Sequence, residues 1–371
     1  MANNSEFYRG KRKKTAPALI ATIIILAVIT FAVMLFYGLQ KYIVVTNSGL
    51  HLEIPFLQDD SAKPVQSDDG EVVQQSFEPV NAQLEIGQAD YSNIKAVAGE
   101  NLGAVKLVYV PASSVTASGV ESYLSKAPDA SGVLLDVKTV TGMLVWDSQA
   151  DIAKGYGTAG TVDLKSIVSS LKEQDKYVAV RMCCFVDNTL ASRYTQLALK
   201  TTAGQAYSDS NGAWLDPTNA TVKSYILSLC SELSKMGVDE IVLLGMRLPE
   251  ASGLEFAFSS SSAVKPTPVT AVSSFGISVT RAMRSSSTKM SVQLTSSTAL
   301  QNGTDEVTGQ SADILLKVFD RVYCSAESAS AADTVTKGAD YVKLGEAKMR
   351  IVPMCSCLLY TSDAADDLIG V

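Results

Sequence analysis

The sequence has almost no histidine, and the one it has lies near the N-terminus. His51 is the single histidine among 371 residues. Ser-His-Asp and Cys-His catalytic sites need an imidazole base, and zinc sites draw mainly on histidine and cysteine ligands. The rest of the chain therefore excludes these nucleophilic sites and argues strongly against a typical zinc site. No phosphate loop, dinucleotide fingerprint or calcium loop occurs in the sequence either, so we expect no metal and no cofactor.

Paired cysteines and a net positive charge are also lacking. The six cysteines (Cys183, Cys184, Cys230, Cys324, Cys355, Cys357) show no spacing typical of disulfides or metal sites. Cys183 and Cys184 are adjacent in a predicted strand and point to opposite faces, so we expect packed thiols. The formal net charge of −7 argues against a nucleic-acid-binding protein, which normally carries a basic face.

One long apolar run is present near the N-terminus. The basic residues Arg9, Lys11, Arg12, Lys13 and Lys14 precede an uncharged stretch over residues 16–37. A helix of that length reaches about 33 Å, enough for a hydrocarbon core of about 30 Å. Positively charged residues next to a membrane span usually stay on the cytoplasmic side. We therefore predict a cytoplasmic tail (1–14), an uncleaved transmembrane signal anchor (15–39) and an extracytoplasmic C-terminal part. The protein is thus expected to be single-pass in the plasma membrane.

Two further segments differ in composition from a folded domain. Residues 40–103 include the acidic, Gln- and Ser-rich stretch DDSAKPVQSDDGEVVQQSFEPV, which buries too little apolar surface to fold alone and predicts an extracytoplasmic linker. At the other end, CLLYTSDAAD (357–366) resembles the translation of a transposase adapter used in sequencing libraries. We therefore interpret residues 357–371 as adapter-derived and expect the natural chain to continue differently.

Residues 104–356 alternate between short β-branched runs and helical patterns. Strands are predicted at residues 106–111, 133–138, 177–185, 240–248, 290–295, 321–325 and 349–353, with amphipathic helices between them. Repeated βα units of this kind predict a parallel sheet, here a (β/α)8 TIM barrel truncated before its eighth unit. In such barrels the active site lies at the carboxyl ends of the strands.

Several segments of this region resemble a bacterial family of membrane-anchored, glycoside hydrolase-like TIM-barrel domains, distantly similar to α-amylase-type barrels. They are GVLLDVK (132–138), VAVRMCCFVDNTLA (178–191), WLDP (214–217) and GVDEIVLLGMRLP (237–249). The last is similar to the family pattern GFDEIQFDYVRFP. That pattern has an Asp in the fourth-strand motif, and we expect Gly245 of this chain to occupy the position of that Asp. The resemblance implies carboxylate chemistry. Because this Asp is missing, an inactive, degenerate domain is an open alternative.

A carboxylate mechanism does not need histidine, and glycoside hydrolysis needs two acidic groups about 5–5.5 Å or 6.5–9.5 Å apart. Asp136 is the predicted first carboxylate, because an Asp after an apolar strand is costly unless paired or used. Asp187, Glu250 and Glu327 follow later strands and are alternatives for the second. The competing interpretation of Asp136 is a structural ion pair with Lys138 or Arg181.

The predicted substrate-binding residues are Lys138, Arg181, Arg247 and the two tryptophans, Trp146 and Trp214. Arg181 can orient a carboxylate or a sugar hydroxyl, or form an ion pair in the barrel core. The tryptophans fall in βα loops, where flat rings either stack on sugars or seal the loops.

These patterns predict a glycoside hydrolase-like domain that acts on a cell-surface or extracellular polysaccharide. The alternative is a non-catalytic carbohydrate-binding or envelope-organising module on the same scaffold. The predicted partners are a polysaccharide or cell-wall glycan and the membrane, with no nucleic acid.

Overall fold

The computed structural model describes residues 102–260, 264–325 and 331–354, the short strands at 43–46, 49–52 and 358–360, and positions 26 and 30. Glu327 and most of the predicted signal anchor (15–39) and adapter segment therefore lie outside the described residues. Within the described part, no helix has the length and apolar character needed to cross a bilayer.

The chain divides into two units, Met1–Gln83 and Leu84–Val371. In the first unit, the strands Ile43–Thr46 and Gly49–Leu52 pair in an antiparallel hairpin. This hairpin lies within the stretch predicted to be a linker.

The strands of the described residues are numbered in chain order. They are β1 (Ile43–Thr46), β2 (Gly49–Leu52), β3 (Lys106–Val110), β4 (Gly132–Lys138), β5 (Tyr177–Cys183), β6 (Lys200–Thr201), β7 (Ser208–Asp209), β8 (Gly212–Ala213), β9 (Glu240–Leu244), β10 (Phe256–Ala257), β11 (Lys289–Leu294), β12 (Val322–Ser325), β13 (Ile351–Met354) and β14 (Leu358–Tyr360).

A curled parallel sheet forms the centre of the second unit. In the described residues, seven strands pair in parallel in the order β3, β4, β5, β9, β11, β12 and β13. The short strand β14 pairs antiparallel with β13 and β3 and closes the barrel. The seven predicted strands are confirmed. The place of an eighth parallel strand is taken here by an antiparallel one.

Helices follow most of the barrel strands. In the described residues they are α1 (Ala117–Ser125), α2 (Asp151–Tyr156), α3 (Leu164–Glu173), α4 (Asn188–Arg193), α5 (Ala220–Lys235), α6 (Pro268–Met283), α7 (Ser297–Asn302), α8 (Ala312–Val318), α9 (Ala331–Gly338) and α10 (Leu344–Arg350). Thr116, Asp163 and Asn219 begin α1, α3 and α5 by accepting hydrogen bonds from the first-turn N–H groups.

The helices bury the apolar faces that their periodicity predicts. On α3 the buried residues are Leu164, Ile167, Val168 and Leu171, and on α5 they include Tyr225, Ile226, Leu229 and Leu233. These side chains pack with the outward-facing residues of the strands in one large core, so the helical face predictions are confirmed.

A second, smaller apolar cluster fills the inside of the barrel. It consists of residues that alternate along the strands, namely Val105, Leu107, Leu134, Ala179, Val242, Tyr323 and Val352. Every second strand residue points inward. The polar side chains two residues before or after this cluster therefore face the two ends of the barrel.

A buried ion pair lies at the amino ends of the strands. Arg321 Nη1 lies 2.8 Å from Oε2 of Glu240, and the Tyr177 hydroxyl donates to the same oxygen at 2.8 Å. The two charged side chains are 2% and 0% exposed. Charges at this end of a TIM-like barrel stabilise the fold, whereas function resides at the opposite end.

Candidate active site at the barrel mouth

Four polar side chains meet at the carboxyl ends of the strands, inside the barrel. Arg181 of β5 donates from Nη2 to Oδ2 of Asp136 at 3.0 Å and from Nε to Oδ1 at 3.3 Å. The Tyr109 hydroxyl of β3 donates to Oδ2 of Asp136 at 3.0 Å and accepts from Arg181 Nη2 at 2.9 Å. Arg181 Nη1 also donates to Oε1 of Gln293 on β11 at 3.3 Å. We call Tyr109, Asp136, Arg181 and Gln293 the mouth cluster.

The mouth cluster is largely shielded from water. The side chains of Asp136 and Arg181 are 9% and 12% exposed. Burial raises the pKa of Tyr109 to about 12, with Arg181 opposing the rise and Asp136 adding to it. Tyr109 therefore stays protonated at neutral pH and keeps its O–H as a donor. The Arg181 guanidinium also lies 4.7 Å from the centroid of the Tyr109 ring, a distance typical of a cation–π contact.

This arrangement can bind and react with a polar ligand. Of the two ion pairs considered for Asp136, the structure forms the one with Arg181. The Asp136 side chain keeps 9% of its surface exposed, and the guanidinium and amide beside it can donate to hydroxyl groups. Such a carboxylate suits the role of nucleophile or electrostatic stabiliser at a sugar ring.

Lys138 leaves the mouth cluster because the strand register shifts between Asp136 and Lys138. Its ammonium lies 2.8 Å from Oδ2 of Asp187 and donates to the Cys183 carbonyl at 2.9 Å. Burial by itself lowers the pKa of Lys138, but the charge and hydrogen bond of Asp187, together with Tyr225 and Cys183, outweigh it, so this pKa is raised above that of a free lysine. Lys138 is therefore the buried partner of Asp187 and not of Asp136.

The same pairing places Asp187 away from solvent. Its side chain is 0% exposed, as is that of Lys138. Its Oδ1 accepts from the Leu190 N–H at 2.9 Å and begins α4. A ligand cannot touch either residue in this conformation, so neither Asp187 as a second carboxylate nor Lys138 as a substrate contact fits the structure.

Arg247 and Glu250 lie together in the loop that follows β9. Arg247 Nη1 is 2.9 Å from Oε1 of Glu250, and the side chains are 14% and 69% exposed. The Arg247 guanidinium also lies 5.7 Å from the Trp214 ring centroid. Glu250 is thus a solvent-accessible carboxylate on the same face of the barrel as Asp136.

The two tryptophans are buried instead of forming a surface platform. Trp146 is 1% and Trp214 is 0% exposed. Trp146 donates from Nε1 to Oε2 of Glu232 at 3.0 Å, which joins the loop after β4 to α5. Both rings therefore seal loops, the second of the two interpretations considered, and their burial corrects the expectation that they stack on a sugar.

The fourth-strand motif also needs a correction. Set letter over letter, GVDEIVLLGMRLP and GFDEIQFDYVRFP place the pattern's Asp opposite Leu244, and Gly245 opposite the following Tyr. Leu244 ends β9, pairs with Cys183 and packs against the large core. The position that lacks the expected carboxylate is thus Leu244.

The sequence argument missed Tyr109 and Gln293. The alternation of KLVYV already puts Leu107 and Tyr109 on one side of β3, which is a usable signal for Tyr109. Alternation likewise puts Gln293 on the side of β11 opposite the apolar Val292 and Leu294. Among the described residues no group of three or more His, Cys, Asp and Glu side chains is arranged to hold a metal ion.

A family model described as "Putative glycosyl hydrolase domain" matches residues 107–325, more than half of the chain. The chain belongs to this glycosyl hydrolase domain family. The matched residues span β3 to β12 and include all four members of the mouth cluster.

Several solved structures are similar to this glycosyl hydrolase domain protein at low identity. A hypothetical protein from Ruminiclostridium thermocellum is 20% identical, covering 50% of this chain and 96% of its own, with a TM-score of 0.43. The glycoside hydrolase domain of PgaB (BpsB) from Bordetella bronchiseptica is 12% identical, covering 67% and 83%, with a TM-score of 0.49. The glycoside hydrolase domain of PelA from Pseudomonas aeruginosa is 14% identical, covering 60% and 67%, with a TM-score of 0.35. No curated protein sequence matches the chain.

Proposed function

We propose that the domain hydrolyses glycosidic bonds of a cell-surface or extracellular polysaccharide at the barrel mouth. The observation that carries this proposal is the mouth cluster. It places a carboxylate, held by an arginine and a tyrosine, at the carboxyl ends of the strands in a glycosyl hydrolase domain.

The residues of the mouth divide the work as follows. Asp136 acts as nucleophile or electrostatic stabiliser at the anomeric carbon, and Arg181 positions the sugar through its hydrogen bonds. Glu250 is our candidate for the acid that protonates the leaving oxygen, since its side chain is 69% exposed on the same face. Glu327 remains a second candidate outside the described residues.

Asp136→Asn tests the proposal on the full-length protein. Reducing ends released from purified cell-wall polysaccharide measure turnover, and co-sedimentation with the same polysaccharide measures binding. We expect turnover to fall by about 10³-fold or more while binding is retained. The control is Asp129→Asn, which removes a 79% exposed carboxylate beside Lys106 at the opposite ends of the strands. Turnover that survives Asp136→Asn would remove Asp136 from the mechanism.

A non-catalytic carbohydrate-binding module is the second candidate function. Two observations favour it. Asp187, a predicted second carboxylate, is fully buried, and Leu244 stands where the family pattern has an Asp. A binding module predicts that the wild-type protein sediments with the polysaccharide but releases no reducing ends. Arg181→Met would then abolish sedimentation.

We also propose that the domain is tethered outside the plasma membrane by residues 15–39. Support comes from the basic residues 9–14 followed by the uncharged apolar run. Protease added to intact cells should cleave the barrel domain while the N-terminal tail stays protected. Recovery of the barrel domain intact and in the cytosolic fraction would contradict the tether.

A further inference from the structure

The two carboxylate oxygens of Asp136 are held very differently. Oδ2 accepts two bonds of 3.0 Å, one from the Tyr109 hydroxyl and one from Arg181 Nη2. Among the bonds of the described residues, Oδ1 accepts only the longer one from Arg181 Nε, at 3.3 Å. Oδ1 therefore keeps the greater capacity for a further partner.

We infer that Tyr109 is a positioning residue that fixes Oδ2 of Asp136 and so presents Oδ1 to the substrate. This inference rests on the proposed function and deepens it, because it assigns the reacting oxygen and the residue that selects it. Tyr109 was not among the residues that the sequence pointed to.

The direction of the hydrogen bonds follows from the chemistry of the partners. A guanidinium has no acceptor, so the Tyr109 oxygen accepts from Arg181 Nη2, and its single proton is left for Asp136. A phenylalanine would keep the ring beneath the guanidinium but lose both polar contacts. Oδ2 would then be held by Arg181 Nη2 alone, and the hold on that oxygen would weaken.

The surroundings of Tyr109 make its O–H a permanent donor. The charged or titratable groups that act on it are Asp136 on β4, Arg181 on β5 and Tyr123 on α1. Burial is the main cause of the raised pKa of this phenol, which is protonated throughout the neutral pH range. The hydrogen bond to Asp136 is therefore present wherever the carboxylate is ionised, and Tyr109 itself adds no pH transition below about pH 10.

Tyr109→Phe tests the inference, with Tyr123→Phe as the matched control. Tyr123 is a neighbouring phenol on α1. Within the described residues it forms no hydrogen bond to Asp136. On purified cell-wall polysaccharide, we expect Tyr109→Phe to lower kcat by about 10- to 100-fold, since it removes a bond to a charged group. KM should stay within about twofold.

A second measurement needs no substrate. Carbodiimide with glycine ethyl ester labels carboxyl groups that it can reach, and peptide mass spectrometry gives the labelled fraction of Asp136 at one fixed pH. Labelling of Asp136 should rise severalfold in Tyr109→Phe and stay unchanged in Tyr123→Phe. Unchanged labelling together with an unchanged kcat in Tyr109→Phe would overturn the inference while leaving the proposed hydrolase intact. Wild-type protein without turnover would instead overturn the hydrolase proposal, and the labelling would then decide the role of Tyr109 alone.

Discussion

Replacing Lys138 with methionine should destabilise the barrel far more than an ordinary loss of one ion pair. The change keeps most of the side-chain length but removes the ammonium that lies 2.8 Å from Asp187 Oδ2. Both side chains are 0% exposed, so the remaining carboxylate has neither water nor a cation on that oxygen. Removing one partner of a buried pair typically costs about 3–5 kcal/mol, and we expect a loss in that range.

Lys172→Met provides a matched control. Lys172 lies 2.7 Å from Asp239, almost the same distance, but its side chain is 41% exposed and that of Asp239 is 26% exposed. An exposed pair contributes about 0–1 kcal/mol, because water screens the charges. The assay is urea unfolding of the full-length protein at pH 7, followed by far-UV circular dichroism, with the free energy of unfolding compared among the three proteins.

The pH dependence gives a second check on the same residue. Because the pKa of folded Lys138 lies above the ordinary value of 10.5, its stabilisation is complete below pH 10.5 and is lost as the pH rises through the folded pKa. The difference between wild type and Lys138→Met should therefore be constant from pH 6 to 9. Equal losses for the Lys138 and Lys172 variants, or a loss below about 1 kcal/mol for Lys138, would refute this reasoning.

Three other variants have defined outcomes. Trp146→Phe removes a buried hydrogen bond, so the free energy of unfolding should fall by about 1–2 kcal/mol while polysaccharide co-sedimentation stays unchanged. Weaker co-sedimentation would instead support stacking of this ring on the sugar. Glu240→Gln leaves Arg321 buried without its anion and should cost about 3 kcal/mol or more in urea unfolding, and a neutral effect would contradict the buried pair. Gly245→Ala should lower the free energy of unfolding by about 1 kcal/mol or more, because φ is +64° and a Cβ there would lie 3.0 Å from the Cys183 sulfur. An unchanged urea midpoint would show that this strain is relieved.

The positions of the barrel strands could be read from the sequence because their apolar runs are continuous and bounded by helical patterns. The second predicted strand, 133–138, falls within Gly132–Lys138, and the predicted 290–295 compares with Lys289–Leu294. The fourth was predicted four residues too long. Gly245 takes a left-handed φ of +64° and ends β9 at Leu244, although the apolar pattern continues to Leu248.

The composition of the site was harder to predict, since it depends on local geometry that side-chain periodicity does not encode. Simple alternation puts Asp136 and Lys138 on one face, but the register shift between them sends Lys138 to Asp187. Gln293 lies near Arg181 because β9 pairs with β5 on one side and with β11 on the other. This neighbourhood follows from the sheet order, which the sequence pattern does not give. Burial of Trp146 likewise depends on a contact with Glu232, which lies 86 residues away in the chain.

The most direct test of the mouth cluster as the glycan site is a crystal structure of the Asp136→Asn protein with oligosaccharide fragments of the polysaccharide that the wild type binds. The account predicts a sugar ring within hydrogen-bond distance of the Arg181 guanidinium, with its anomeric carbon facing the position of Asp136 Oδ1. A sugar bound elsewhere, with the mouth cluster unchanged and free of ligand, would contradict it.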